Sequence, residues 1–231
     1  MTFEHVDILF QIIVFLFAIS VHESAHAWTA FRLGDPTAFM LGRVTLNPMK
    51  HIDPIGTIVM PLLAMITHFP LIGWAKPTPV NTRNFKRIVR DDILTSVAGP
   101  ISNFMVATLA VMGLGVIMVA FPEGRAAVAE SISFKFGGAA EGVSESTLLP
   151  VALLLYNLMF INVLLACFNL IPVPPLDGSH VLRHMLPEGA RQAYDSIGIF
   201  GLLILMLIGG RILWFLMTPV LQFFNFLLNL F

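Results

Sequence analysis

The sequence has almost no cysteine. Cys167 stands alone in an apolar run, so no internal disulfide is possible and redox compartment is not indicated. Charge is scarce: Asp, Glu, Lys and Arg make 12% of the 231 residues, where a soluble domain carries roughly 25%. Thirteen basic and fourteen acidic side chains leave a net charge of −1, which gives a polyanion nothing to hold and excludes nucleic-acid binding as the main role. Repeats and low-complexity tracts are missing. The longest polar stretch, near 122–147, is too short for a separate soluble domain.

What is present is apolar. Hydrophobic residues make 57% of the chain, 20 residues are Phe, and mean hydropathy is +0.84. A soluble fold of this size has too much surface for its volume to hide that. The chain is therefore expected to be an all-α polytopic membrane protein, with one integral-membrane domain over 1–231. Stretches free of Asp, Glu, Lys and Arg run over Ile8–Val21 and Ser24–Phe31, with Glu23 between them. Others are Pro54–Ala75 (22 residues), Ile93–Pro122 (30) and Ser146–Leu176 (31). Ser196–Gly210 and Ile212–Phe231 are parted only by Arg211. A span needs roughly 20 apolar residues, so about five to six transmembrane helices are expected. Phe3–Leu33 is not expected to be a cleaved signal, because it lacks a basic start and is interrupted at His22–His26.

Charge orients the spans. Arg32–Lys50 carries three basic residues and one acid, and Lys76–Arg90 carries five basic residues and no acid. Glu123–Glu145 carries four acids and two bases. The positive-inside rule puts the first two segments in the cytoplasm and the third outside. Both flanks of Pro54–Ala75 then lie on one side, which one span cannot achieve. Either the stretch is re-entrant or one flank breaks the rule. Pro54, Pro61, Pro70, Gly56 and Gly73 favour an irregular insertion, which survives at membrane depth only against protein or a cavity. Gly42–Pro48 and Trp74–Asn81 are expected as short extended segments, either strands that hold a substrate by strand addition or plain connections. The expected architecture thus has a small re-entrant and β-strand element between the first and later helices.

The sharpest motif is His22-Glu23-Ser24-Ala25-His26 inside the first apolar helix. Positions i and i+4 share a helix face, so both imidazoles can reach one metal, and Glu23 can touch a water there. Ionisable side chains in a membrane helix are costly, and a metal compensates for that cost. Zinc with two His ligands and a carboxylate base is the chemistry this pattern suits. A catalytic zinc has three protein ligands. The 31-residue uncharged run closes on Asn169-Leu170-Ile171-Pro172-Val173-Pro174-Pro175-Leu176-Asp177-Gly178, where prolines break the helix. Asp177 is the third ligand on this reading; the alternative is that it only N-caps the following helix.

H-E-x-x-H in a membrane helix, followed far downstream by N-x-x-P-x-P-P-L-D-G, resembles the site-2 protease family of intramembrane zinc metalloproteases. Gly42–Pro48, His51–Thr57, Gly73–Asn81 and Ala98–Asn103 are similar to the compact prokaryotic branch, which has no PDZ-like or CBS domain. The resemblance covers about His22 to Leu186. It implies that His22, His26 and Asp177 hold one Zn2+ per chain and that Glu23 is the general base. It also implies single-pass transmembrane substrates, cut in or near the lipid bilayer of a prokaryotic plasma or inner membrane. By the family pattern Asn169 is expected to serve catalysis as an oxyanion donor.

Other polar residues admit blander roles. Asn103 is either a contact for substrate or oxyanion, or glue between helices. His180 and His184 form a second i, i+4 pair, read as polar or interfacial, with His180 a reserve partner for the metal site. His51 and Asp53 are expected in a turn. His5 and His68 belong to no motif, and the Phe and Leu stripes near Phe215–Phe231 are expected to face lipid. Two other classes of function fit part of the pattern: a membrane metal-ion transporter, and a catalytically inactive membrane scaffold. A transporter needs no general base and favours inverted repeats, which are not evident. An intact Glu23 argues against a scaffold.

Overall fold

A computed structural model describes residues 3–59, 74–136 and 146–231. Among these residues the long helices are α1 (Phe3–Leu33), α2 (Ile88–Ala120) and α4 (Leu149–Asn169), with α7 (Gly198–Leu228) at the C-terminus. Shorter helices are α3 (Gly124–Lys135), α5 (Asp177–Met185) and α6 (Glu188–Asp195). Four stretches are long and apolar enough to cross a membrane: Glu4–Leu33, Ile88–Ala120, Leu149–Asn169 and Gly209–Leu228. The chain is an all-α polytopic membrane protein.

Two regions that the sequence left open take shape here. The runs on either side of Arg211 are joined in one continuous helix, α7 (Gly198–Leu228), with Arg211 exposed on its side. One arginine interrupts a hydropathy run but not a backbone hydrogen-bond ladder, so the two runs count once. The body of the Pro54–Ala75 element, residues 60–73, lies outside the described residues, as does His68. Its two ends are described, and they meet. The Trp74 N–H donates to Gly56 O at 3.2 Å, and Thr57 Oγ1 donates to Trp74 O at 2.8 Å. A lone crossing of about 30 Å would hold those ends apart. The two described ends are thus side by side, in keeping with the basic residues that both flanks carry.

The β-strand expectation is corrected: no strand forms among the described residues. Residues 74–81 are extended, yet they offer no row of free donors. Pro77 and Pro79 have no N–H. The Lys76 N–H donates to His51 O at 2.8 Å, and the Thr78 and Asn81 N–H groups donate to side chains. Asp35, fully buried at the end of α1, organises the same region. Its carboxylate accepts from Thr37 N (3.2 Å) and Thr37 Oγ1 (2.5 Å), from Asn81 N (2.7 Å) and from Asn84 Nδ2 (2.7 Å). Burial alone would raise this carboxyl; the hydrogen bonds from Thr37, Asn84 and Asn81 prevail and hold it below its ordinary value.

The core sits where α2, α4 and α7 meet with α3 laid against them. Leu114, Val128, Tyr156, Met159, Val163 and Met217 are almost fully buried there. Outward faces are apolar as well. Met105, Leu109, Met112, Val116 and Val119 form an exposed stripe on α2 at the spacing of one helix face. The C-terminal aromatic stripe divides. Phe215, Phe223 and Phe226 are exposed, while Phe224 joins the core. A helix apolar all round with one face uncovered is built for lipid.

Candidate metal centre

His22 and His26 sit past the middle of α1, one turn apart, and only 6% and 7% exposed. Their rings stand nearly perpendicular, 82° apart, with the two Nε2 atoms 3.0 Å from each other. Asp177, the first residue of α5, brings Oδ2 to 3.1 Å from His22 Nε2 and 3.3 Å from His26 Nε2. These three ligand atoms form a nearly equilateral triangle, and this is the group of metal-ligating side chains found among the described residues.

The far side of each ring fixes its tautomer. Asn162 Nδ2 donates to Leu158 O at 2.8 Å, which turns Asn162 Oδ1 toward Asn103 Nδ2 at 2.7 Å. That in turn aims Asn103 Oδ1 at His22 Nδ1, 2.6 Å away. An amide oxygen only accepts, so His22 Nδ1 carries the proton. His26 Nδ1 meets the carbonyl oxygen of Thr95 at 2.7 Å, and the same reasoning applies. As neutral imidazoles both rings then present the Nε2 lone pair, and they present it to a carboxylate oxygen. Asp177 Oδ2 is buried without a hydrogen-bond donor of its own. Three acceptors converging with no proton among them require a cation.

Zinc fits. Tetrahedral coordination with bonds of about 2.0–2.1 Å spaces its N and O ligands about 3.3 Å apart, and the triangle is within a few tenths of that. Room is provided by Gly99 of α2. A Cβ there would lie 2.4 Å from His26 Nε2 and 2.6 Å from His22 Nε2, so any side chain would enter the space between the ligands. Gly178 serves the third ligand. A Cβ on it would meet Leu170 O at 2.3 Å, so only glycine lets α5 start hard against the 170–171 turn and present Asp177. Asp177 is not an N-cap, since Leu176 holds that position.

The remaining expected residues are placed as follows. Glu23 is on the same turn as the two histidines, and its Oε2 accepts the Thr78 N–H at 2.8 Å, while Thr78 Oγ1 donates to Glu23 O at 3.1 Å. Asn169 ends α4 half-buried, with Nδ2 donating to Leu165 O at 3.0 Å, and it is not among the contacts of the triad. Asn103 touches neither lipid nor an open groove; it is fully buried behind His22. His180 and His184 bracket Asp92 of α2 at 3.2 and 2.7 Å and fasten α5 to α2, with no further metal cluster among the described residues. Hydrogen bonding to Asp92 lifts the His180 imidazole above its ordinary value against the effect of burial. His51 lies in the turn expected of it, but fully buried.

Sequence reasoning missed Gly99, Thr95 and Asn162. A mid-helix Gly99-Pro100 and amides inside apolar runs were usable signals for the first and third. Thr95 contributes a backbone carbonyl, which no side-chain pattern reveals.

A model described as peptidase family M50 matches residues 10–209. The chain is 32% identical over 210 residues to "Putative zinc metalloprotease YwhC" of Bacillus subtilis, covering 89% of this chain and 84% of that protein. It is 28% identical over 208 residues to "Putative zinc metalloprotease Rip2" of Mycolicibacterium smegmatis, covering 90% of this chain and 66% of that protein. A protein of the same description from Mycobacterium tuberculosis is 26% identical over 178 residues, with 76% and 57% covered. No solved structure matches.

Proposed function

We propose, from the premise that the chain belongs to peptidase family M50 and is a zinc metalloprotease, that it hydrolyses peptide bonds in or near the transmembrane segments of single-pass membrane proteins. The observation that carries this reading is the setting of the triad. Ligand atoms no more than 3.3 Å apart are buried among helices apolar enough to cross a membrane, with Glu23 on the same turn. His22 precedes Arg32, at the basic end of α1, by about ten residues, or about 15 Å along the helix. That depth suits a substrate held within the bilayer. The basic segments on one side suit a prokaryotic plasma or inner membrane, with the lipid bilayer itself as a partner.

His22, His26 and Asp177 hold the metal. Zinc, when bound, supplies a Lewis acid that acidifies water and polarises a carbonyl. Glu23 moves the proton: its carboxylate takes one from the attacking water as the new C–O bond forms, then gives it to the departing amine nitrogen as the C–N bond breaks. The Thr78 N–H on Oε2 keeps that carboxylate oriented. Asn103 and the Thr95 carbonyl hold a proton on each Nδ1 and aim both rings. Asn169 has one amide hydrogen on Leu165 O and a second to offer the carbonyl oxygen as charge develops on it.

The test is Glu23→Gln in proteoliposomes carrying a single-pass substrate, with cut positions read by mass spectrometry. The variant is expected to hold zinc like wild type and to lose cleavage. A Glu23→Gln protein that cleaves normally, or a wild-type protein that cuts only soluble loops, would overturn the reading.

A further inference from the structure

Arg43 is 5% exposed, and its guanidinium donates to backbone carbonyls: Nη1 to Lys50 O, and Nη2 to Lys76 O and Pro77 O, both at 2.6 Å. None of these acceptors is a carboxylate. A buried guanidinium is costly unless its donors are engaged, and here they join two stretches of chain well apart in sequence.

The second stretch is unusual. Pro77 and Pro79 have fixed φ and no N–H, and each disfavours helix for the residue before it. Thr78 is thus the one N–H donor in Pro77-Thr78-Pro79, on a stiff extended arm. That N–H donates to Glu23 Oε2 at 2.8 Å. The carbonyls immediately before it are those that Arg43 holds. The Lys76 N–H on His51 O, at 2.8 Å, stops the arm from sliding.

We propose that Arg43 is a positioning residue for Glu23, acting through this proline-flanked arm to set the Thr78 N–H on the carboxylate. The inference rests on the reading of Glu23 as the proton carrier and adds a determinant of its aim. Arginine suits the task because its planar fork reaches acceptors on both chain segments at once; a lysine ammonium is a point donor.

Arg43→Ala should lower kcat by about 100-fold, the order expected when a reacting group is misplaced by an ångström. Zinc content and KM should stay at wild-type values, and added guanidinium should restore part of the rate. Thr78→Pro removes the N–H while keeping an extended backbone; Thr78→Val, which keeps the N–H, is the reference for it. Thr78→Pro should fall well below Thr78→Val, and the Arg43→Ala, Thr78→Pro double variant should be no slower than the slower single one, because both remove one interaction. The inference is overturned if Arg43→Ala keeps its kcat, if its defect lies in zinc content or KM, or if Thr78→Pro matches Thr78→Val. Should Arg43→Ala not accumulate as folded protein, the Thr78 pair decides alone. Glu23→Gln separates the two levels. Normal cleavage by that variant removes the reading beneath; an inactive Glu23→Gln beside fully active Arg43 and Thr78 variants rejects only the role of Arg43.

Discussion

Two polar networks are buried in this apolar bundle, and both run between α1 and an asparagine of α4. Near the start of α1, Lys135 Nζ donates to Asn157 Oδ1 at 2.8 Å, Asn157 Nδ2 donates to Asp7 Oδ1 at 2.7 Å, and Gln11 Nε2 donates to Asp7 Oδ2 at 2.5 Å. About 22 Å further along α1, Asn162 and Asn103 lead to His22, His26 and Asp177. The first network is closed: a cation at one end, an anion at the other, and an amide between that gives and takes once each. The second has a donor for each acceptor until its last members, where three acceptors face one another. The difference is one of donor count. A buried network with matched donors and acceptors holds helices together; one with surplus acceptors at a point is a site for a cation.

The largest effect should come from filling or emptying that point. Gly99→Ala puts a methyl group between the imidazoles, and Asp177→Ala removes the carboxylate. Both are expected to purify without zinc and without activity. Asp177→Asn should be badly impaired in both, because it keeps the shape but loses the charge. Metal analysis on folded, inserted protein is the measurement. Retained zinc in Gly99→Ala would mean that the acceptors do not converge on one ion.

Next in size is the contrast between the two asparagine networks. Asn103→Leu takes the acceptor from His22 Nδ1 and should weaken zinc binding by about 10–100-fold, as loss of a partner behind a metal-bound histidine does. Asn157→Leu should leave zinc affinity unchanged and cost about 1–3 kcal/mol of stability by stranding buried polar groups. Competition with a chelator and thermal unfolding, run on both variants, sharpen the comparison if the effects separate and break it if they do not.

The smallest effect concerns the brace at Asp35. Its folded pKa is depressed, so its contribution is complete above the unfolded value of about 4 and disappears as the pH falls through the folded one. Asp35→Asn should lower the melting temperature by roughly 2–4 °C at neutral pH. The gap to wild type should close only in strong acid.

Much of this was legible before any coordinates. The H-E-x-x-H turn declares itself because two imidazoles and a carboxylate in an apolar run need a reason, and Asp177 because a proline-broken run ended on it. For the Pro54–Ala75 flanks, lysines and arginines narrowed the choice to a re-entrant stretch or a broken charge rule, and the contact between its ends lay beyond sequence. Hydropathy left the C-terminal region ambiguous, because an exposed Arg211 costs a hydropathy average more than it costs a helix. Composition left Trp74–Asn81 as either a strand or a plain connection, since extended propensity says nothing of where N–H groups point. The contacts behind the ligands were the least visible, because they depend on which helix lies against which. Gly99, Asn103 and Asn162 acquire meaning only once α2 and α4 are packed on α1.

The ligands come from opposite ends of the fold. The histidines belong to the first helix, and Asp177 lies about 150 residues later, on a short helix that does not itself span the membrane. An ion held by all three is a cross-link across most of the chain, and thermodynamic linkage follows. Whatever stabilises the bound form resists the separation of α5 from α1, by about 2.7 kcal/mol when free zinc is a hundred times its dissociation constant. Zinc supply would then govern the lifetime of the folded protein as well as its turnover. A cell short of the metal would hold fewer copies of this chain, not merely idle ones.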